Sequence, residues 1–352
     1  MYKSYMQMQK PVDVNIAFYG KPYQAIVTIE SLMRHSGQHI DKIYLSRERI
    51  QPHGDWVGIF KIIDLFRDRT INGHKVNLVV SYPHHFLGLG VNDYERAQTD
   101  HRFRQSIMYQ YALETTDKKY MCVMHNDMLF HGDMIGEMLR KFSNAPSNLA
   151  GIGSIGQCWS CPAGPDWGNL CHSEKYEQYK PTMEEAVMLQ ESQPTPRQAI
   201  NLRVLKNNRV HPLPECRLNE YCALIDVEKY RKNTLPDGTI GCYGGGWNGT
   251  DTATVWSHDM YQRGYTFQHL TLENYVQHAA FDETGSGTSS NSNSENYFLA
   301  EKNAEKFIKE NYYPLNFSPY VRMATFWDSV KRDGWLTIIH AYGALKRVAG
   351  KS

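Results

Sequence analysis

The chain has 352 residues, of which 41% are hydrophobic and 21% charged, and its 38 lysines and arginines nearly cancel 37 aspartates and glutamates. That length gives ample core for one large domain or two ordinary ones, and the balanced charge argues against general disorder and against an unspecific hold on polyanions. No nucleic-acid partner is expected. No apolar run approaches the ~20 residues of a membrane-spanning helix, and Met1 to Lys10 is too polar for the core of a secretion signal, so a cytoplasmic protein is expected. In that setting the seven cysteines are expected to be reduced thiols or metal ligands rather than a disulfide framework.

The first third alternates strand-like and helix-like patterns, as a parallel sheet with crossover helices requires. Val12 to Phe18 reads as a buried strand, Tyr19-Gly20-Lys21-Pro22 as a turn, and Ile26, Ile29, Leu32 and Met33 recur at helical spacing. Ile40 to Leu45 and Val76 to Val80 give two further strands, with a weakly helical stretch, Trp56 to Phe66, between them. Phe103 to Leu113 reads as a helix, Lys119 to Met124 as a fourth strand running into His125-Asn126-Asp127, and Gly132 to Phe142 as the next helix.

From Gln157 to Pro214 no period persists, and only Met183 to Gln190 and Ile200 to Leu205 look helical, which suggests insertions over the sheet. Glu220 to Ile225 returns to strand character, followed by a short helix and the cluster Gly241-Cys242-Tyr243-Gly244-Gly245-Gly246-Trp247. Asp251 to Arg263 reads as a helix ended by Gly264, and Tyr265 to Leu270 as a strand. Thr284 to Ser294 has the composition of a flexible linker, and the tail after Asn296 carries helical segments.

The segment Tyr120 to Phe130 is the most informative. Ligands of open parallel sheets bind beyond the carboxyl ends of strands, and Asp127 sits at such an end, where a phosphate-bound magnesium or manganese ion would be held. An aspartate there is equally suited to capping the turn or the next helix, and the residues alone leave both open.

Taken in order, the strand, the Tyr-Gly turn, the helix with Ser-Leu, the strand ending Ser-Arg-Glu, the Arg-Gln helix and the strand ending His-Asn-Asp resemble the nucleotide-sugar half of GT-A glycosyltransferases. The similarity is to glycosyltransferase family 2 and runs from about Val12 to His278. The resemblance implies an α/β fold, with a mostly parallel sheet between helices, acceptor-side insertions and a helical tail. It divides the chain into a GT-A-like unit, 1–295, with a nucleotide-sugar half at 11–156 and an acceptor half at 157–295, and a helical extension at 296–352. The implied activity is transfer of a hexosyl-type sugar from a nucleotide sugar to a glycan or lipid-linked glycan, metal-assisted and inverting, in bacterial surface polysaccharide assembly. A metal-dependent nucleotidyltransferase and a non-catalytic carbohydrate-binding protein are the rivals.

In the family an Asp-x-Asp motif ends the fourth strand and binds the metal on the donor diphosphate. Here His125 replaces the first acid, Asp127 matches the second, and His278 falls where several such enzymes add a ligand, giving a Mn2+ or Mg2+ site. Tyr19, Gly20, Glu48, Arg104, Gln105 and Asn126 match positions near the donor, and Glu215, Glu220 and Trp247 are candidates for the acceptor. Inverting transfer needs a general base, and the resemblance puts Asp251 in that role with Asp259 as fallback, although the usual Glu-Asp pair is absent.

Each of these residues has a plain structural alternative as a cap, surface charge or packing group. Two features lie outside the resemblance. Cys158-x-x-Cys161, Cys171-His172 and either Cys216 or Cys242 have the chemistry of a structural zinc site. Trp335 to Lys351 mixes apolar and basic residues as a helix lying on a membrane surface does, which would place the protein at the inner face.

Overall fold

The computed structural model describes residues 10–88, 90–283 and 292–348. Strands form where apolar residues alternate or run on. They are β1 (Val12–Phe18), β2 (Ile40–Arg47), the short ribbon β3 (Thr70–Ile71) and β4 (His74–Lys75), β5 (Leu78–Ser81), β6 (Tyr120–Met124), β7 (Met128–Phe130), β8 (Leu149–Ile155), β9 (Leu218–Asp226), β10 (Thr266–His269) and β11 (Val276–His278). Helices α1 (Pro22–Ser36), α2 (Gly58–Phe66), α3 (Tyr94–Thr99), α4 (His101–Arg104), α5 (Gln110–Thr115), α6 (Met134–Ser143), α7 (Met183–Ser192), α8 (Gln198–Lys206), α9 (Val227–Asn233) and α10 (Thr254–Gln262) connect them. Two long helices, Ser294–Asn311 and Pro319–Val348, follow.

Seven strands make one sheet in the order β10-β8-β9-β6-β1-β2-β5. All neighbours are parallel except β9, which runs antiparallel between β6 and β8. Both faces are covered, so the strands carry apolar side chains in both directions. Val12, Val14, Ile16 and Phe18 of β1 point to one core with Cys122 and Met124 of β6, and Met121 and Val123 point to the other. This mostly parallel sheet between helices is the GT-A-like architecture implied by the resemblance. β7 pairs instead with β11 as a separate antiparallel ribbon, with His278 opposite Met128.

Three local differences from the sequence reading have physical causes. Phe103 to Leu113 is not one helix: Met108 bridges to Gly244 and Tyr109 turns to a left-handed φ of +68°, which separates α4 from α5. The helix expected from Asp251 begins at Thr254, because Ala253 takes a left-handed φ of +64° at its N-cap. Leu149–Ile155 is a buried central strand whose glycines hide its pattern, since a side chain at Gly151 would strike Leu218.

The helix Ser294–Asn311 packs on α1 and is tied to its first turn by Glu301. That buried carboxylate accepts hydrogen bonds from the backbone N–H of Tyr23 (2.8 Å) and Gln24 (3.2 Å), where the helix dipole favours negative charge. Burial nevertheless lifts its pKa from 4.5 to about 7, with the Tyr23 N–H opposing the shift. A folded-state value above the unfolded one means the group's contribution to stability is present below about 4.5 and is lost as pH rises to about 7. Urea unfolding of Glu301→Gln should therefore fall less steeply between pH 5 and 7 than that of the wild type, by up to about 3 kcal/mol across the window. Equal slopes would refute the assignment.

Candidate active site at the carboxyl ends of the strands

The carboxyl ends of β1 and β6 lie side by side in parallel register, which brings the turn Tyr19–Pro22 against His125–Asp127. Gly20 has a φ of +64°, and a Cβ there would lie 2.5 Å from the Pro52 ring and 2.7 Å from the Tyr297 hydroxyl, so only glycine fits. Its carbonyl accepts from the Asn126 amide (2.7 Å) and its N–H donates to Gln51 (2.8 Å).

Lys21 follows with a φ of +56°, a left-handed conformation unusual for a non-glycine residue and more so before proline. Its N–H donates to the Tyr297 hydroxyl (2.7 Å), which in turn donates to Asp55 (2.7 Å). Held this way, the Lys21 ammonium reaches Asp127 Oδ2 at 2.8 Å, with both side chains about 95% buried. Backbone strain of this kind costs about 1–3 kcal/mol and persists where the surroundings fix it, commonly at functional sites.

Asp127 is the centre of the group. Burial alone would raise its pKa, but the Lys21 charge, followed by the two histidines, holds it well below the usual carboxylate range. His278 Nε2 lies 3.3 Å from Asp127 Oδ1 and 3.3 Å from His125 Nδ1, and all three donor atoms fall within 4.8 Å of one another. Oδ1 is buried and makes no well-aligned hydrogen bond; its near polar contact is His278 Nε2.

β9 supports both residues. The His125 backbone N–H donates to the Tyr221 carbonyl, which places the residue, and the His278 ring stacks on the Tyr221 ring at 5.1 Å. Ala279, again left-handed, donates to the Asp127 carbonyl and locks β11 beside it. Desolvation lowers the His125 pKa to about 4 against the pull of Asp127, so the ring is neutral at pH 7 and free to donate a lone pair.

These donors fit a divalent ion. Two ligand atoms each about 2.1 Å from one ion, at 90–109° to each other, lie roughly 3.0–3.4 Å apart, and the separations of His278 from Asp127 and from His125 fall in that range. Lys21 on Oδ2 leaves Oδ1 facing the imidazoles, as a supporting partner of a metal-binding carboxylate does. Among the described residues this is the one group of three ligating side chains with converging donors. All seven cysteines are free, and Cys158, Cys161, Cys171, His172, Cys216 and Cys242, expected as zinc ligands, supply no three donors within 4.8 Å of one another. Hydrogen bonding between the Cys171 and Cys216 thiols instead lowers the first pKa and raises the second.

The other expected residues divide by their partners. Tyr19 stacks on Phe86 at 6.4 Å, and half-buried Glu48 has a pKa pushed up to about 7 by burial and an oxygen, Oε2, without a hydrogen bond. Arg104 is buried and committed elsewhere, with 2.7 Å to Glu114 and further bonds to the carbonyls of Ala97 and Gln98; Gln105 also donates to Glu114. Trp247 is buried, its indole N–H donates to the Cys242 carbonyl, and Gly241 and Gly245 leave room for its ring, so its faces are packed. Asp259 pairs with Arg209 at 2.8 Å.

Asp251 and Glu215 sit in a network with two arginines. Arg197 reaches Glu215 at 2.8 Å and Asp251 at 2.7 Å; Arg217, 1% exposed, reaches Glu215 at 2.9 Å and also Asp251. Asp251 Oδ1 accepts from the Thr252 N–H (2.9 Å). Next to this network, Glu220 has its pKa raised to about 7 by burial, its nearest cation is Arg217 at 4.0 Å, and its Oε2 has no hydrogen bond. Tyr109, whose hydroxyl donates to the Glu220 carbonyl, lies within electrostatic reach of Glu220, Asp127 and Glu48.

Lys21, Tyr109, Tyr297, Arg197 and Arg217 were not legible as site residues. A lysine between a strand-end glycine and a proline was the one available signal, since that setting forces its backbone. Arg217→Met would leave two buried carboxylates short of a partner and should destabilise the protein by about 3–5 kcal/mol in urea. Lys309→Ala, which removes an exposed pair with Glu305, should change stability by less than about 0.5 kcal/mol. Similar losses from both would show that the network does not hold the fold.

No family model and no curated protein matches the chain. Solved structures similar to it include mouse xyloside xylosyltransferase 1, 13% identical with a TM-score of 0.40, covering 74% of this chain and 86% of that one. Mannosyltransferase PcManGT from Pyrobaculum calidifontis, solved with GDP-mannose and Mn2+, is 10% identical with a TM-score of 0.38, covering 97% and 88%. TarS 1–349 of S. aureus is 9% identical with a TM-score of 0.39, covering 75% and 59%. Identities this low concern the fold alone and assign no residue.

Proposed function

We propose that this protein is a glycosyltransferase that moves a sugar from a nucleotide sugar to a hydroxyl of a glycan acceptor, with inversion, in surface polysaccharide assembly. One observation carries the reading: a buried carboxylate converges with two imidazoles at the carboxyl ends of parallel strands. A divalent cation held there by His125, Asp127 and His278 would neutralise charge on the diphosphate leaving group. Lys21 keeps Asp127 ionised and turned so that Oδ1 faces that position. Tyr19 and Glu48, beyond β1 and β2, supply an aromatic face and a hydrogen-bonding carboxyl for the nucleoside.

The acceptor hydroxyl must lose its proton to a nearby base. Asp251 belongs to the same pocket of charge but is held by two guanidinium groups, while Glu220 keeps an unpartnered oxygen and a pKa of about 7. We assign proton acceptance to Glu220 and its orientation, through Arg217, to Asp251.

With a panel of nucleotide sugars, Asp127→Asn should abolish release of nucleoside diphosphate. Glu220→Gln should cut transfer about 10²–10⁴-fold while leaving donor binding within about twofold. Release of pyrophosphate from a nucleoside triphosphate would instead identify a nucleotidyltransferase, and binding without release a carbohydrate-binding protein.

The helix Pro319–Val348 supports a place at a membrane surface. It buries Val321 and Asp328 against the protein and exposes Tyr320, Met323, Trp327 and Val330, a stripe at three- and four-residue spacing, with Ile338 eight residues further on and exposed Phe326, Arg322 and Lys331 beside it. No helix among the described residues is long and apolar enough to cross a membrane. An aromatic stripe flanked by cations suits the headgroup region of an anionic bilayer. Co-sedimentation with phosphatidylglycerol vesicles is expected and should be lost in Phe326→Glu/Trp327→Glu; equal binding by wild type and variant would contradict it.

A further inference from the structure

We infer that His125 sets the identity of the cation, so that this site selects a nitrogen-favouring transition ion such as Co2+ or Zn2+ over Mg2+ and Ca2+. The inference deepens the metal site of the proposed function and rests on that reading of His125, Asp127 and His278.

The donor set is two imidazole nitrogens and one carboxylate oxygen. Magnesium and calcium are hard ions that take oxygen ligands, and magnesium gives up its water reluctantly and is usually held through carboxylates and phosphates. Imidazole favours later divalent metals, with affinity rising from Mn2+ through Co2+ and then falling from Cu2+ to Zn2+. An acid at position 125 would contribute a second anionic oxygen; His125 contributes a neutral nitrogen instead.

The charge of the site reinforces the choice. Lys21 lies 2.8 Å from Asp127 and offsets its charge, so the group as a whole has little net negative charge with which to attract a hard ion. What remains is ligand chemistry and shape, and both are fixed in advance. β9 places the His125 backbone through the Tyr221 carbonyl, the Tyr221 ring backs His278, and Asp127 Oδ1 lies 3.3 Å from His278 Nε2.

Cobalt provides a direct readout, because its visible absorption reports nitrogen ligation without any turnover. The purified protein, with no nucleotide present, should bind Co2+ and Zn2+ at least about tenfold more tightly than Mg2+ by calorimetry. Its Co2+ complex should show visible bands that disappear in His125→Gln and in His278→Gln. His125→Asp should bind Mg2+ about tenfold more tightly than wild type and lose the preference for Co2+.

Circular dichroism checks that each variant is folded, and the wild-type spectrum and binding order stand without any variant. Equal affinity for Mg2+ and Co2+, no binding of any of these ions, or Co2+ binding that survives His125→Gln would overturn the inference; the last would assign the ion to others of the 15 histidines. Transfer that persists under chelation would remove this inference and leave the transferase reading standing. Selective Co2+ binding without consumption of any nucleotide sugar would do the reverse.

Discussion

The arrangement depends on keeping one carboxylate ionised in a place where water cannot solvate it. Asp127 is 3% exposed at the end of a central strand, and a lone charge there would be several kcal/mol unfavourable. The Lys21 ammonium offsets that cost, and only because the chain turns left-handed immediately after Gly20. That turn is in turn held by Gln51, Asn126 and Tyr297, each from a different part of the fold. The site is thus built outward from a charge pair, and the long helix Ser294–Asn311 enters it through Tyr297 and braces α1 through Glu301.

Carboxyl groups near the site differ in how they are paired. Glu215 and Asp251 are saturated by Arg197 and Arg217 and behave as a buried scaffold. Glu48 and Glu220 each retain an oxygen without a hydrogen bond, and burial raises both pKa values to about 7, which suits the roles proposed for them. The antiparallel strand β9 links the two sets, because it carries Glu220 and also supports His125 through Tyr221.

Most strands were legible because apolar runs bounded by turns leave little choice, and Pro22 marked the start of α1 correctly. Leu149–Ile155 was not legible, since its glycines serve close packing against β9 rather than a visible period. His125, Asp127 and His278 could be named from the order of motifs. Their supports could not, because the contacts bring together residues far apart in sequence: Lys21 meets Asp127 across 106 positions and Tyr297 across 276. The same limit explains Arg104. The resemblance matched it to a position near the donor, and only the structure reveals Glu114 as its partner.

The most direct measurement is an X-ray structure of the protein with Mn2+ and a nucleoside diphosphate, with anomalous scattering recorded for the metal. The account predicts one strong peak about 2.0–2.3 Å from Asp127 Oδ1, His125 and His278, with the diphosphate completing the coordination and the Lys21–Asp127 contact kept. A diphosphate bound elsewhere, or bound at this position with no metal on these three residues, would contradict it.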